Sequence, residues 1–406
     1  MKTVVLVGGG VESVHGVDVA HRLGYQACVV DGNARAPGLL AADQRVVAST
    51  YDVEAVYRAV SSIAKKSRVV GVMSVGTDVP VTVAVVAARL GLPGIPVVSA
   101  ELSANKLLMK QRFVSSGIPT PSFWPVSNEG DIKKAMRDSQ SDLFVLKPVD
   151  SRGARGVRMI RRTDSLTPAF AESLSHSPSK MCILEEFESG PQISSESYFT
   201  PQWHETPGFS DRNYARMNTT YPYIIEDGGE APSRASEREE QEASAVAVQA
   251  ARVLGVESGT VKGDLVLTND GPKVIEIALR LSGGWFCTHQ IPTLTGVDLV
   301  EAAMRQAVGD GVTRDSVTPD RVGGVAIRYF FPPPGLVLGV PAAAEIDARP
   351  GVVHHHISVR VGDTVEPITD HTVRAGHVIT VGASRDEAVE RAESVVRELP
   401  ILVNSE

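Results

Sequence analysis

Residues 259–280 constrain the fold more than any other stretch. They read Gly-Thr-Val-Lys-Gly-Asp-Leu-Val-Leu-Thr-Asn-Asp-Gly-Pro-Lys-Val-Ile-Glu-Ile-Ala-Leu-Arg, two strand-like runs around Asn269-Asp270-Gly271. Such a cluster between β-prone runs is a hairpin turn, so the chain must double back here. Centred on Asp270, the hairpin sets Val266 opposite Val274, Asp264 opposite Glu276 and Leu265 opposite Ile275. Side chains alternate along a strand, so Asp264, Glu276 and Arg280 share one face. Leu265, Ile275, Ile277 and Leu279 share the other, which is expected to be core. Two directly opposed carboxylates lie about 4.5–5.5 Å apart at Cβ and repel each other, which a bound cation would relieve. Oxygen-only ligation suits Mg²⁺, an ion usually held by one or two carboxylates plus substrate phosphates. Arg280 on the same face suits a phosphate oxygen. The plainer alternative is a solvated hairpin face carrying unrelated charges.

The 406 residues are enough for two or three domains at roughly 150 residues each. Residues 1–100 alternate strand and helix: strands at 4–7, 27–30 and 69–74, with helical stretches to about residue 23 and over 81–90. That alternation means βαβ units and a parallel sheet. A basic amphipathic helix spans 104–116, followed by strands at 144–147, 157–160 and 181–185. Residues 200–235 show little periodicity, 236–254 form a helix, 298–308 another, and the chain beyond 320 is β-rich with a terminal helix at 385–398. Acidic residues outnumber basic ones 48 to 40, which argues against a nucleic-acid binder. No apolar run approaches the roughly 20 residues of a membrane span. Three cysteines without a C-x-x-C pair point to a reducing, cytoplasmic setting.

Residues 143–157 end a strand in Lys147-Pro148 and continue into a small-residue loop with Ser151, Gly153 and Gly156. Glycines let backbone N–H groups approach phosphate oxygens, and Lys147 can meet the same anion. The order of a Walker A loop is absent. A flexible β-turn is the commoner meaning of such a loop. Residues 182–190, Cys-Ile-Leu-Glu-Glu-Phe-Glu-Ser-Gly, run from a strand into an acidic stretch where Glu186 and Glu188 can offer backbone groups to an adenine edge.

Taken together and in order, these pieces resemble the ATP-grasp superfamily, and the carboxylate–amine ligases within it, including L-amino-acid (dipeptide) ligases. Five places carry the resemblance: Asn105-Lys106 before a helix ending Gly-Ile-Pro-Thr-Pro, Lys147-Pro148 with its glycine loop, Glu185-Glu186-Phe187, Asp264, and Glu276-Ile-Ala-Leu-Arg280 followed by Ser282-Gly283-Gly284. The resemblance implies an α/β ATP-grasp fold. A Rossmann-like domain would span 1–100, the ATP-grasp domain 101–310 with a small lid subdomain at about 118–190, and a β-rich subdomain 311–406. It implies ATP between two subdomains, contacted by Lys106 and Lys147 at the phosphates, by Ser151, Gly153 and Gly156 in the lid loop, and by Glu186 and Glu188 at adenine. Gln192 stands at the ribose position, where the family often has an acid. Asp264 and Glu276 would hold one or two Mg²⁺ ions, for which Mn²⁺ can substitute, and Arg280 would stabilise the transferred phosphoryl group. Ala278 stands where the family commonly has Asn, which removes one metal ligand. The implied reaction joins a small carboxylic acid to an amine, both expected to be amino acids, with ADP and phosphate released. A homodimer is expected as the commonest soluble assembly.

Other readings stay open. The strand–Gly8-Gly9-Gly10–helix start, with Asp31 ending the next strand, looks like half a dinucleotide fingerprint, but Ser13 replaces the last glycine, so a nicotinamide oxidoreductase is one rival. A catalytically silent relative and a bicarbonate-using carboxylase are two more. Arg328 is a candidate for a substrate carboxylate, and Gly283, Gly284 and Trp285 for the acceptor pocket, with core packing the alternative for Trp285. His354, His355 and His356 are adjacent on a strand and point to alternate faces, so they are not expected to ligate one ion.

Overall fold

The computed structural model describes residues 2–321 and 323–404. Four sheets organise those residues. The first is parallel, in the order Gln44–Val47, Gln26–Asp31, Lys2–Val7, Arg68–Met73. Its central strands, Gln26–Asp31 and Lys2–Val7, are apolar on both faces, as strands covered on both sides must be. Val4, Leu6 and Val29 pack against the helix Ser13–Arg22 and, from far along the chain, Leu299–Ala307. Val5, Val7 and Val30 pack against Val53–Ala64 and Pro80–Arg89. Burial of each such side chain is worth about 1.5–3 kcal/mol, so the Leu299–Ala307 helix ties this sheet firmly to the rest of the chain.

The second sheet holds eight strands, in the order Gly271–Ala278, Gly259–Thr268, Gln192–Phe199, His204–Asn213, Gly228–Ala231, Gly324–Tyr329, Gly376–Gly382, Val352–Ile357. It runs unbroken from the hairpin to strands beyond residue 320. Helix Glu237–Val253, capped by Ser236, covers the hairpin with Ala243, Ala247, Ala250 and Ala251. A four-stranded antiparallel sheet (Phe123–Val126, Cys182–Glu186, Leu143–Pro148, Arg158–Arg161) stands opposite, backed by Glu129–Asp138 and Leu166–Ser175. A small sheet of Thr364–Val365, Gly335–Gly339 and Leu402–Asn404 completes the C-terminal part with helix Arg385–Glu398. Among the described residues no helix is long and apolar enough to cross a membrane.

The hairpin differs from expectation in register. Thr268 pairs with Gly271, so the turn has two residues, and Leu265, Val266 and Leu267 face Val274, Lys273 and Pro272. A bulge between Asp264 and Leu265 then restores the pairing of Asp264 with Glu276. Ile275 is the extra residue. It leaves the core, which takes Val274 instead, and lines the cleft between the two antiparallel sheets. Bulges re-aim side chains in this way beside binding sites.

Candidate active site

The cleft, of about 580 Å³, is walled by the four-stranded antiparallel sheet on one side, the large sheet on the other, and loops of the parallel sheet at one end. Lys106, Lys147, Ser151, Gly153, Glu186, Glu188, Gln192, Asp264, Glu276, Arg280, Gly283 and Gly284 all line it. Three expected residues do not. Gly156 packs behind its loop, where an added Cβ would meet Pro148 Cγ at 2.9 Å and His176 Cβ at 3.0 Å. Trp285 stacks on His377 at 3.6 Å between ring centroids rather than facing the cleft. Arg328 is turned away: Ile327 and Tyr329 face the cleft, and strand alternation sends Arg328 to Glu230 and to Glu393, 3.0 Å away.

Lys106 begins the helix Lys106–Ser115, placed by Asn105, whose side chain accepts from the N–H groups of Leu107 and Leu108. Its Nζ donates to the Ser151 carbonyl at 3.0 Å and lies 3.4 Å from Glu276 Oε1, so it bridges lid loop and hairpin. Lys147 ends strand Leu143–Pro148 and donates to Glu185 Oε2 at 2.8 Å. Behind it the fully buried Lys110 lies 3.3 Å from the same oxygen and donates to Thr120 Oγ1 at 2.7 Å. Burial pulls the Lys110 ammonium down to about 8 against the pull of Glu185. Two lysines on one carboxylate leave an excess of positive charge at the strand end.

Asp264 accepts from Ser194 Oγ at 2.7 Å, pairs with Lys262 on its own strand, and lies 3.3 Å from Arg212 Nη1. Burial opposes its charge, but Arg212 and Lys262 outweigh burial and hold the carboxyl well below the usual range. Ala278, paired with Lys262 across the hairpin, adds no oxygen. Among the described residues no cluster of three His, Cys, Asp or Glu can hold a metal. Two carboxylates without nitrogen or sulfur donors fit a hard ion that completes its shell from phosphate and water, which is how Mg²⁺ is usually bound.

At the hinge between the sheets the side chains of Glu186 and Glu188 are tied off, Glu186 by Ser139 and Glu188 by Lys273 at 2.6 Å. The Glu186 N–H donates to the Ser122 carbonyl at 2.9 Å and the Phe187 N–H to that of Leu143 at 3.0 Å. The Glu188 N–H has no hydrogen bond among the described residues, which makes it the hinge donor open to a base edge. Val145, Phe187 and Ile275 supply apolar walls there.

The loops after strands Lys2–Val7 and Arg68–Met73 sit where the order of the parallel sheet reverses, the crevice in which such sheets bind ligands. Here part of the chain itself fills it. Glu12 accepts from the N–H groups of Gly284 at 3.0 Å and Trp285 at 2.9 Å, and burial lifts its carboxyl to about 6. Gly8 packs against Thr77, with no room for a Cβ. Glu196 holds the other end of the same loop through the Ser282 N–H at 2.8 Å. Asp78 accepts from Arg280 Nε and from Arg152 Nε, each at 3.0 Å. Neither Glu12 nor Asp78 carries a motif, and only the tertiary fold brings Asp78 to the cleft and Glu12 behind the loop that lines it. Lys262, two residues from Asp264 on one strand face, was within reach of the alternation argument. Arg374 and His371, which the C-terminal part adds to the far wall, had no sequence signal.

Family models match three successive segments: ATP-grasp N-terminal domain over 17–94, ATP-grasp domain over 103–284, and L-amino acid ligase C-terminal domain 2 over 328–404. The chain is an ATP-grasp enzyme. Its group is that of the ADP-forming carboxylate–amine ligases. It is 25% identical over 389 residues to an uncharacterized protein, y4rH, of Sinorhizobium fredii, covering 92% of this chain and 77% of that one. It is 26% identical over 200 residues to dapdiamide A synthase of Enterobacter agglomerans, a match spanning 45% of this chain and 44% of the synthase. The crystal structure of L-amino acid ligase from Bacillus licheniformis shares the fold, with a TM-score of 0.83 at 20% identity over 100% of this ATP-grasp chain and 99% of that one.

Proposed function

We propose that the enzyme joins the carboxylate of one amino acid to the amine of another, with ATP converted to ADP and phosphate. The observation that carries this is the pairing of Asp264 with Glu276 across the hairpin, on the cleft face, with Lys106, Lys147 and Arg280 around them. In this reading a carboxylate oxygen of the acid attacks the γ-phosphorus of ATP, and ADP leaves. The amine nitrogen then attacks the acyl carbon, phosphate leaves, and the nitrogen gives up a proton. Magnesium, when bound by Glu276 and Asp264, supplies charge neutralisation at the phosphate oxygens. The chain's own part is positioning and electrostatics, which dominate phosphoryl transfer. Lys106 and Lys147 hold phosphate oxygens, Arg280 faces the transferred group, the Glu188 N–H meets the base, and loop 150–156 keeps water from the acyl phosphate.

The match to an L-amino acid ligase C-terminal domain favours an amino acid over bicarbonate as the carboxylate that takes the phosphoryl group. A screen of ATP, Mg²⁺ and pairs of amino acids, read by ADP release and mass spectrometry of the product, tests both. ADP release stimulated by bicarbonate without any amino acid would overturn the amino-acid carboxylate reading. Glu276→Gln is expected to lose turnover by at least about a hundredfold, as removal of one charge-stabilising group does at such sites. Wild-type ADP release by that variant would falsify the metal assignment.

A further inference from the structure

Asp78 lies in the loop after strand Arg68–Met73 and faces two arginines from two other parts of the chain. Its Oδ1 accepts from Arg280 Nε and its Oδ2 from Arg152 Nε, both at 3.0 Å. Arg152 belongs to the glycine loop 150–156, and its guanidinium also lies 4.9 Å over the ring of Tyr51, another residue of the N-terminal part. Arg280 follows the metal-site strand, and its Nη1 donates to the Leu281 carbonyl at 2.8 Å. Arg280 Nη2 has no hydrogen bond among the described residues, so it is the edge left to meet an anion in the cleft.

The base of the glycine loop is fixed by Asp150, which accepts from Ser177 Oγ at 2.7 Å and the Ser179 N–H at 2.9 Å. Beyond that base the loop is held from other parts of the chain: by Lys106 Nζ on the Ser151 carbonyl at 3.0 Å, by Arg152 on Asp78, and by the His371 N–H on the Gly153 carbonyl at 3.3 Å. Of these holds, Asp78 is the one that ties a side chain of the tip to the N-terminal part by charge. A carboxylate offered one guanidinium takes it with both oxygens, through two parallel N–H donors. With Arg152 gone, Asp78 can turn both oxygens onto the Nε and Nη2 edge of Arg280, and Nη2 is then drawn out of the cleft. With Arg152 in place, one oxygen is engaged elsewhere and Nη2 stays free.

We propose that Asp78 is a positioning residue that couples closure of the glycine loop to the aim of Arg280, so that the phosphoryl-binding edge of the arginine is presented only when the loop is shut. This rests on the ligase reading, in which Arg280 faces the transferred phosphoryl group. It gives the N-terminal part a role in timing the chemistry: an acyl phosphate forms only in a cleft already closed to water.

The test compares wild type, Asp78→Asn, Asp78→Glu, Arg152→Ala and the double variant Asp78→Asn/Arg152→Ala. Hydrogen exchange of residues 150–156 is read in the ligand-free chain and with Mg²⁺ and AMP-PNP. AMP-PNP affinity is measured by calorimetry, and ADP release with an equimolar mixture of the twenty L-amino acids. Asp78→Asn is expected to speed exchange of the loop, to change AMP-PNP affinity and the KM for ATP by less than about threefold, and to lower kcat by about tenfold to a hundredfold, the scale of an ångström misplacement. Arg152→Ala should lower kcat similarly, the double variant should be no slower than Asp78→Asn, and Asp78→Glu should recover part of kcat. Unchanged exchange of the loop in Asp78→Asn, or additive losses in the double variant, would overturn the coupling. A wild type that neither binds AMP-PNP nor releases ADP would overturn the ligase reading and the coupling with it. The ligand-free exchange of Asp78→Asn, which needs no nucleotide, tells that failure from failure of the tether alone.

Discussion

Replacing Glu185 by Gln should destabilise the protein by about 2.5–4 kcal/mol at pH 7, and the loss should depend on pH in a defined way. Glu185 is 2% exposed and carries two ammonium groups on one oxygen, Lys147 at 2.8 Å and Lys110 at 3.3 Å. Burial opposes its charge, but Lys110 and Lys147 outweigh burial and hold its carboxyl below the usual range. Loss of the charge-assisted bond to Lys147 costs about 1.5–3 kcal/mol. Lys110 adds a bounded term. Its pKa already stands at about 8, so at pH 7 it can escape further cost by shedding its proton for about one more pKa unit, or about 1 kcal/mol. Lowered lysine pKa values mean that the unfolded chain binds more protons, so stability rises with pH through that window. Wild type deprotonates Lys110 near pH 8 and the variant at a lower pH. The deficit of the variant is therefore largest below pH 7 and shrinks by about 1 kcal/mol by pH 9. Reversible urea unfolding at pH 7 and pH 9 measures it. Lys110→Met in the Glu185→Gln background should recover part of the loss, because it removes the unpaired buried charge. A deficit that is the same at both pH values, or a double variant less stable than Glu185→Gln, would refute this account of the triad.

Lys147→Ala should weaken AMP-PNP binding by about tenfold to a hundredfold, the worth of one charge-assisted hydrogen bond, as read by calorimetry with Mg²⁺. Glu12, with its carboxyl at about 6, grips the Gly284 and Trp285 N–H groups as an anion, so kcat should fall as pH drops through 6. Glu12→Gln should remove that acid limb from the pH profile of kcat while lowering its plateau. Gly156→Ala should cost about 1–3 kcal/mol in thermal unfolding, since its φ of +72° is left-handed and its Cβ would press on Pro148 and His176. Gly153→Ala, at φ +65° but with no neighbour nearer than 3.7 Å, should cost less.

Except for its edge strand Gln44–Val47, whose Arg45 and Val47 are exposed, the parallel sheet was legible because its strands are largely buried on both faces and read as Val-rich apolar runs. Strands Gln192–Phe199 and His204–Asn213, at the centre of the large sheet, were not. Gln192–Phe199 is buried on both faces there, with Ser195 and Ser197 on one and Glu196 on the other, all at 0% exposure, so apolar alternation never appears. Several polar groups of these two strands serve the site: Ser194 holds Asp264, Glu196 holds Ser282, and Arg212 faces Asp264. The facing pair of Asp264 and Glu276 was legible for a subtler reason. A three-residue turn without a bulge and a two-residue turn with one place the same two acids opposite each other. They differ only in between, at Ile275, which the bulge turns from core into cleft. Arg328 shows the converse failure: membership of the right strand says nothing about face, and one residue of phase sends it to Glu230 instead of the cleft. Glu12 and Asp78 lie furthest beyond sequence reasoning. Each is a lone acid in a loop, and its meaning arises only where residues 280–285 enter the crevice of the parallel sheet. That crevice, which in a dinucleotide-binding sheet takes a pyrophosphate, is here closed by carboxylates that hold an arginine and a glycine loop. The glycines at 8–10 pack within the N-terminal part, Gly8 against Thr77 and Gly9 against Asp31, Ala36 and Leu39, and the crevice beside them argues against a nicotinamide site, since an anionic pyrophosphate would share it with the Glu12 and Asp78 carboxylates and the loop they hold.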